Sequence, residues 1–411
     1  MKRVLLSAIT ILLLGVAVAQ EEERKIIKLG AVYSSLPWLN ASGGEKEGFV
    51  YMDNLDFTAN LNIDRIFKWE NDLIVFAYLL SNHGGQASSL MGDFQVASNI
   101  EAPRSTRLFE LWVQENFFHN DISVLVGLYD LNSEFDVLRP GTIFINSSFG
   151  IGAEYAQSGL NGPSIFPISS LGMRMSAQMG DKVVVRLAVL DGVPGDAGDP
   201  TTNHIHLSKK DGALLAAETS IYPGSTVVIN PEHVERGYVT RRKKVGREHE
   251  IPTNDKINLG GWYYTAKFPE LNSPYVSHGN WGVYAGMQKY FHFGREGRYL
   301  ALFGRYGVAN ALYNQLQSAL SGGVVFADLI KGKTDYLGFG FSTGYNGDPY
   351  MEGMQSPQEP LRSETALEFT YSVSLANWFS LQPDVQYVIN PGMRRSLSNS
   401  LGVGLLLQVS I

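Results

Sequence analysis

Leu367-Glu368-Phe369-Thr370-Tyr371-Ser372-Val373-Ser374-Leu375 changes character at every residue. Odd positions are apolar, while even positions carry a carboxylate or a hydroxyl. The same beat returns in Phe379, Leu381, Val385, Tyr387 and Ile389 against Ser380, Gln382, Asp384 and Gln386. It returns again in Leu401, Val403, Leu405, Leu407, Val409 and Ile411 against Gly402, Gly404, Gln408 and Ser410. Far upstream, Leu55, Phe57, Ala59, Leu61 and Ile63 alternate with Asp56, Thr58, Asn60 and Asn62. Period two places one set of side chains on each face of a strand. A transmembrane strand needs about 9–11 residues, whereas soluble strands average about 5–6. A soluble sandwich with one wet face is the competing reading, and the strand length weighs against it.

Composition points the same way. Of 411 residues only 18% are charged, against about a quarter in an ordinary soluble domain. Glycine (43), tyrosine (20) and phenylalanine (21) are plentiful, as many strands and turns demand. The absence of cysteine excludes a disulfide framework, a thiolate zinc site and a cysteine nucleophile. A net charge of −7 argues against a nucleic-acid partner.

Lys2 and Arg3 precede an apolar run, Val4 to Val18, and Ala17-Val18-Ala19 fits a cleavage site before Gln20. Residues 1–19 therefore read as a secretory signal peptide, and 20–411 as a single domain. The longest later apolar run is Leu73 to Leu80, short of the roughly 20 residues of a membrane helix. In lipid, helices and closed barrels alone satisfy the backbone. The fold class expected is all-β, a transmembrane antiparallel β-barrel with an inward-folded constriction loop.

Sixteen strands are predicted, near 26–36, 50–64, 71–82, 106–118, 122–130, 168–179, 183–191, 212–222, 256–268, 279–291, 298–308, 320–328, 336–345, 363–375, 378–390 and 399–411. The third and fifth have ambiguous facing. Connections after odd strands are long (83–105, 131–167, 192–211, 346–362), and most of those after even strands are short (119–121, 180–182, 376–377). Long extracellular loops and short periplasmic turns are the outer-membrane habit. One even connection, 223–255, is a long insert with Arg241, Arg242, Lys243, Lys244 and Arg247. It reads as a solvated periplasmic loop.

Several stretches resemble the carbohydrate-selective porin family of Gram-negative outer membranes, the OprB-like porins. Among them are Ser81-Asn82-His83-Gly84-Gly85, Ser98-Asn99-Ile100-Glu101-Ala102-Pro103 and Gly127-Leu128-Tyr129-Asp130-Leu131-Asn132-Ser133-Glu134-Phe135-Asp136. Others are Val189-Leu190-Asp191-Gly192-Val193-Pro194-Gly195-Asp196, Asn346-Gly347-Asp348-Pro349-Tyr350 and Leu381-Gln382-Pro383-Asp384-Val385-Gln386-Tyr387-Val388-Ile389-Asn390-Pro391-Gly392. The likeness runs from about residue 30 onward. It implies a sixteen-stranded barrel in the outer membrane through which mono- or small oligosaccharides diffuse into the periplasm. Two features depart from the family pattern: the length of the 223–255 insert, and Ile411 where such barrels commonly end in an aromatic residue. A pore for other small hydrophilic solutes and an exported sugar-binding β protein are the alternatives. A monomer and a homotrimer are both compatible with the pattern.

Parity assigns the lumen. With Leu171, Met173 and Met175 toward lipid, Arg174, Ser176 and Gln178 face inward. With Val183, Val185, Leu187 and Val189 outward, Arg186 faces inward; the opposite register costs roughly 2–4 kcal/mol for an arginine near mid-membrane. Arg305 faces in beside Leu302 and Tyr306. Glu364, Glu368 and Asp384, with Asp56 and Asp64, form an acidic wall opposite Arg174 and Arg186. Opposed charges set a transverse field that favours a neutral, hydroxyl-rich solute, and arginine offers a fork of donors to sugar hydroxyls. The equal alternative is that these groups pair with loop residues and tether the loop. The loop is expected at 131–167, with Asn132, Glu134 and Asp136 near its start; a surface loop folded over the mouth is the alternative. Trp112, set by parity inward against Phe109, Leu111 and Val113, stacks on a pyranose beside Glu110 or packs on the loop.

An enzyme needs a positioned histidine with a nucleophile or acid. The eight histidines fall in loops, turns or strand ends, and no G-x-S-x-G, H-E-x-x-H or P-loop occurs. His204-Ile205-His206 reads as solvated rather than as a metal site, so no metal, cofactor or catalytic residue is expected.

Overall fold

The computed structural model describes residues 26–63, 73–118, 120–196, 198–199, 201, 205, 207–223, 254–294, 297–354 and 360–410. The expected signal peptide, Asp64, His204, His206 and nearly all of the 223–255 insert lie outside the described residues.

The strands are β1 (Ile27–Ser42), β2 (Gly48–Asn62), β3 (Leu73–Gly84), β4 (Ser105–Phe117), β5 (Ile122–Tyr129), β6 (Ser170–Met179), β7 (Val183–Asp191), β8 (Ala213–Ile221) and β9 (Lys256–Tyr264). There follow β10 (Phe268–Pro269), β11 (Val276–Ser277), β12 (Asn280–His292), β13 (Tyr299–Ala309), β14 (Leu316–Ala327), β15 (Asp335–Asn346), β16 (Ser363–Ala376), β17 (Phe379–Ile389) and β18 (Ser400–Ser410). All but β10 and β11 form one closed barrel of sixteen strands, and those two make a small separate ribbon. Each barrel strand pairs antiparallel with the next barrel strand in sequence, β9 joining β12 past the ribbon. β1 and β18 meet from Val32↔Ser410 to Asn40↔Gly402 and close the ring. Closure leaves no backbone edge unpaired, which a lipid environment requires.

The two faces invert the arrangement of a soluble protein. Met173, Leu187, Leu302, Tyr306 and Phe369 are exposed on the outside, where lipid covers them. Arg174, Ser176, Glu368, Thr370 and Gln386 are buried on the inside. Parity therefore gives the facing of β6, β7, β13, β16 and β17 as expected.

Three differences have physical causes. β1 runs on to Ser42 because its upper half pairs with both β2 and β18. β3 and β5 read ambiguously because both faces are apolar: Ile74, Phe76, Leu80 and Leu125 point inward, against protein rather than water. Phe109 does not face lipid beside Leu111. A bulge opposite Tyr78 and Leu79 turns both Phe109 and Glu110 inward. Below it the parity resumes, with Leu111 and Val113 outside and Trp112 inside.

Leu302, near the middle of β13, tests the facing. Leu302→Arg should lower stability by about 2–4 kcal/mol in urea titrations of barrels folded in lipid vesicles. An unchanged midpoint would contradict a lipid-facing Leu302.

Candidate functional site

The connection between β5 and β6, residues 130–169, folds into the barrel. Asp130 ends β5 and accepts from the Asn132 N–H (3.0 Å), starting a tight turn at Leu131–Ser133. Two further 3₁₀ turns, Arg139–Ile143 and Ser147–Phe149, and a helical turn at Ala153–Ala156 keep the segment compact. Its apolar side chains pack on the inner wall. Tyr155 stacks on Trp262 at 5.2 Å, and Phe144 and Phe149 lie against Phe303. Asn132 donates to the Phe135 and Gly150 carbonyls (both 3.0 Å) and clips the two halves of the loop together.

Charged groups of the wall meet this loop one by one. Arg174 on β6 is wholly buried. Its Nε donates to Glu134 (2.6 Å), Nη2 to Gln114 (2.7 Å) and Nη1 to the Ser123 hydroxyl (2.5 Å). Arg305 on β13 is held from two sides: Nη2 donates to Asp136 (2.7 Å) and to Glu154 (2.6 Å), and Nη1 also reaches Glu154 (2.7 Å). Glycine permits that approach, since a Cβ on Gly152 would lie 1.9 Å from the Arg305 guanidinium carbon. Glu110 accepts from the Asp130 N–H (3.2 Å).

The acidic wall engages main-chain N–H groups and neutral side chains rather than cations. Glu368 on β16 accepts from the N–H groups of Ile145 (2.5 Å) and Asn146 (3.0 Å). Glu364 accepts from Phe94 (2.8 Å), Gln95 (3.0 Å) and Gly392 (2.5 Å). Asp384 on β17 accepts from the Gln386 amide (3.1 Å). Asp56 accepts from the Tyr78 hydroxyl (2.6 Å) and the Asn54 amide (2.7 Å). All four lie behind neighbouring residues rather than bare in an open lumen.

Arg186 differs. It faces inward on β7 directly across from Glu218 on β8, and its side chain keeps 15% exposure. Its Nη1 stands 3.7 Å from Glu218, and neither Nε nor Nη1 makes a hydrogen bond. Glu218 is already engaged by the Asp136 N–H (2.7 Å), the Tyr284 hydroxyl (2.9 Å), the Ser220 hydroxyl (2.8 Å) and, at 3.5 Å, Lys256. Trp112 is covered: it stacks on Phe76 at 4.9 Å and is 3% exposed.

A second loop joins the first. The connection between β3 and β4, residues 85–104, also enters the barrel, with Asn99 N–H donating to the Ile145 carbonyl (2.8 Å) and Ser147 N–H to that of Val96 (3.0 Å). Gln382 and Gln386 on β17 donate to the Ile143 and Ala97 carbonyls (2.7 and 2.9 Å), one to each loop. The sequence reading gave this connection as a long loop at 83–105 but not its entry into the barrel, and it missed Glu154, Glu218 and Lys256. The signal of that entry was present: Leu90, Met91, Phe94, Val96, Ala97 and Ile100 are too apolar for a loop bathed in water. Glu218 was readable by parity, between the outward Ala217 and Thr219.

The family model for the carbohydrate-selective porins, OprB family, matches residues 46–411. Porin B of Pseudomonas aeruginosa is 21% identical over 380 residues, covering 87% of this chain and 81% of that protein. The high-pH structure of Pseudomonas putida OprB superposes with a TM-score of 0.76 at 19% identity, covering 94% of each chain. The Salmonella typhi OmpF complex with daunomycin shares the fold at a TM-score of 0.54 and 8% identity, covering 94% of this chain and 97% of that one. The match spans most of the barrel and both inserted loops, and the chain belongs to the OprB family of carbohydrate-selective porins, non-enzymatic channels of the Gram-negative outer membrane.

Proposed function

We propose that the chain admits mono- and small oligosaccharides by passive diffusion past a constriction formed jointly by 85–104 and 130–169, and that Arg186 is the cation that touches the solute. The observation that carries this is the 15% exposure of the Arg186 side chain, against 0% for Arg174 and 5% for Arg305, whose guanidinium groups are fully engaged. A passing hydroxyl or ring oxygen can accept from the part of the guanidinium that stays open to the lumen. The gain is available only to a solute that can accept hydrogen bonds, so apolar solutes are disfavoured. No energy source enters, since nothing in the contact is chemical.

The other lumen charges take the tethering role in this reading. Arg174, Arg305, Glu364 and Glu368 hold loop segments whose displacement would widen the pore. The amides at Ile145 and Asn146 are each held by one of the two carboxyl oxygens of Glu368. Trp112 packs behind the loop and does not stack on sugar.

Liposome swelling with a graded series of sugars tests the channel as a whole. No entry of any sugar through well-folded protein would defeat the proposal. Arg186→Gln should raise the sugar concentration needed to block single-channel current by about tenfold, the worth of one hydrogen bond to a charged group. Its reversal potential in a salt gradient should move toward cation preference, because one positive charge is gone. An unshifted potential would remove Arg186 from the conduction path.

Arg305→Ala should act otherwise. It leaves the Asp136 and Glu154 carboxylates buried without their cation, at a cost of about 3–5 kcal/mol. The loop should leave its seat, giving larger, noisier conductance and a relaxed size limit in swelling assays. Quiet conductance of unaltered size would show that Arg305 does not hold the constriction.

A further inference from the structure

Residues 93–97 are where the 85–104 connection is fastened. The N–H groups of Phe94 and Gln95 go to Glu364 on β16 (2.8 and 3.0 Å), and the Ala97 carbonyl accepts from Gln386 on β17 (2.9 Å). The Val96 carbonyl accepts from the Ser147 N–H (3.0 Å), so the same short stretch also carries the other inserted loop. Whatever shifts these residues is felt at the constriction.

Three carboxyl groups meet at this stretch. Asp93 opens it. Glu101 reaches back from the far end of the connection, where one of its oxygens accepts from the Ser88 N–H (3.1 Å) and hydroxyl (3.3 Å). Glu364 comes from the wall, with the Gly392 N–H as its third donor (2.5 Å). Asp93 stands close enough to the other two for its charge to act on both. Its own two oxygens are closed to solvent and accept no hydrogen bond, although the Ser88 hydroxyl and the N–H groups of Val96 and Ala97 face them.

No cation offsets the cluster. The charged groups around Asp93 on other elements are Glu364, Glu45 and Lys46 on the hairpin 43–47, and Arg394 after β17. Arg394 is committed to Glu45, and otherwise its guanidinium reaches only the Gly92 carbonyl (3.5 Å). Among the described residues no ion pair joins a lysine, arginine or histidine to Asp93, Glu101 or Glu364.

Like charges in a dry place cannot all ionise together, and a buried carboxylate without a partner costs most. Burial pushes the Asp93 carboxyl up to about 6, and burial together with the Asp93 charge pushes Glu101 up to about 7. An exposed carboxyl titrates near about 4. A group that holds its proton more tightly in the seated loop than in a freed one favours the seat while protonated. That preference is complete below about pH 4 and is lost as the pH climbs through about 6 to about 7. The loss belongs to the set of carboxyls, since each titrates in the field of its neighbours.

We propose that Asp93, Glu101 and Glu364 form a carboxyl latch, which seats the 85–104 loop while it holds protons and loosens it when it ionises. A wider pore in alkaline medium then follows, on the reading that 85–104 narrows the channel.

Hydrogen exchange and single-channel recording test the latch and its consequence separately. Glu368 and Asp384 lie together under the other loop, so variants rather than the wild-type profile assign the effect. At about pH 8 the amides of 94–97 should exchange about tenfold faster in the wild type than in the double variant Asp93→Asn, Glu101→Gln, one pKa unit of differential interaction. At about pH 5 the two should exchange alike. In strong salt, wild-type conductance and open-channel noise should rise between those pH values, and the double variant should lose the rise. Asp93→Asn alone, which removes the member without a partner, should lose the larger share of it. Heat-modifiable mobility on gels certifies folding, and the single variant decides if the double one fails to fold. Equal exchange of wild type and folded variants at the alkaline pH overturns the latch, as does a conductance rise that the variants keep. Faster wild-type exchange with flat conductance upholds the latch and defeats instead the reading that 85–104 narrows the pore.

Discussion

The antiparallel seam between β1 and β18 is the contact on which everything else depends. A sheet of this size in lipid cannot leave one row of N–H and C=O groups open, because hydrocarbon offers them nothing. Once the seam closes, the two faces of every strand meet different media. The outer face needs only to be apolar and the inner face is free to be polar. That freedom lets Arg174, Arg305, Glu364 and Glu368 sit at membrane depth without touching lipid. The strand alternation is thus a consequence of closure as much as a device for achieving it.

Inside the ring, burial of charge costs a great deal unless geometry returns it. Arg305 uses both sides of its fork, and its two carboxylate partners come from two parts of one loop. Arg174 has three different acceptors. Replacing such groups by apolar ones could be no less stable. What the ions provide is position, since a fork of fixed donors accepts one placement of the loop and rejects neighbours an ångström away. Hydrophobic contacts such as Tyr155 on Trp262 then supply cohesion that is less particular about register.

Direction was legible in the sequence, and partnership was not. Period two reports which face a side chain occupies, so Arg174, Arg186, Arg305, Glu364, Glu368 and Asp384 could all be turned inward from residues alone. It cannot report what waits there. Arg174 and Arg186 look alike by parity on adjacent strands, yet one is enclosed by three acceptors and the other keeps idle donors. The difference is decided by Glu134, forty positions away on a loop with no period. Ile74, Phe76 and Leu125 blurred the facing of β3 and β5 for the same reason: the inner face there meets the loop, and alternation fades where both sides are dry. Phe109 failed because one extra residue in a strand reverses parity above it, and a bulge leaves no mark in composition. The loop at 85–104 had the mark of apolar residues, but its place inside the barrel depends on contacts with Glu364 and Gln386 more than two hundred residues away.

Glu364 and Glu368 grip peptide N–H groups, not side chains. Every residue but proline brings the same N–H to those positions. The grip of the two carboxylates is therefore indifferent to the side chains it holds, although Gln95 and Asn146 add side-chain hydrogen bonds of their own to Ser342 and Gln386, and Ile145 packs in the core. A lineage, or an engineer, can rewrite what the loops display elsewhere to the passing solute while the fastening stays as it was. In such a channel, specificity and architecture can drift apart: the frame is written into the wall and the few loop side chains it grips, and the preference into the loop positions that lie between those grips.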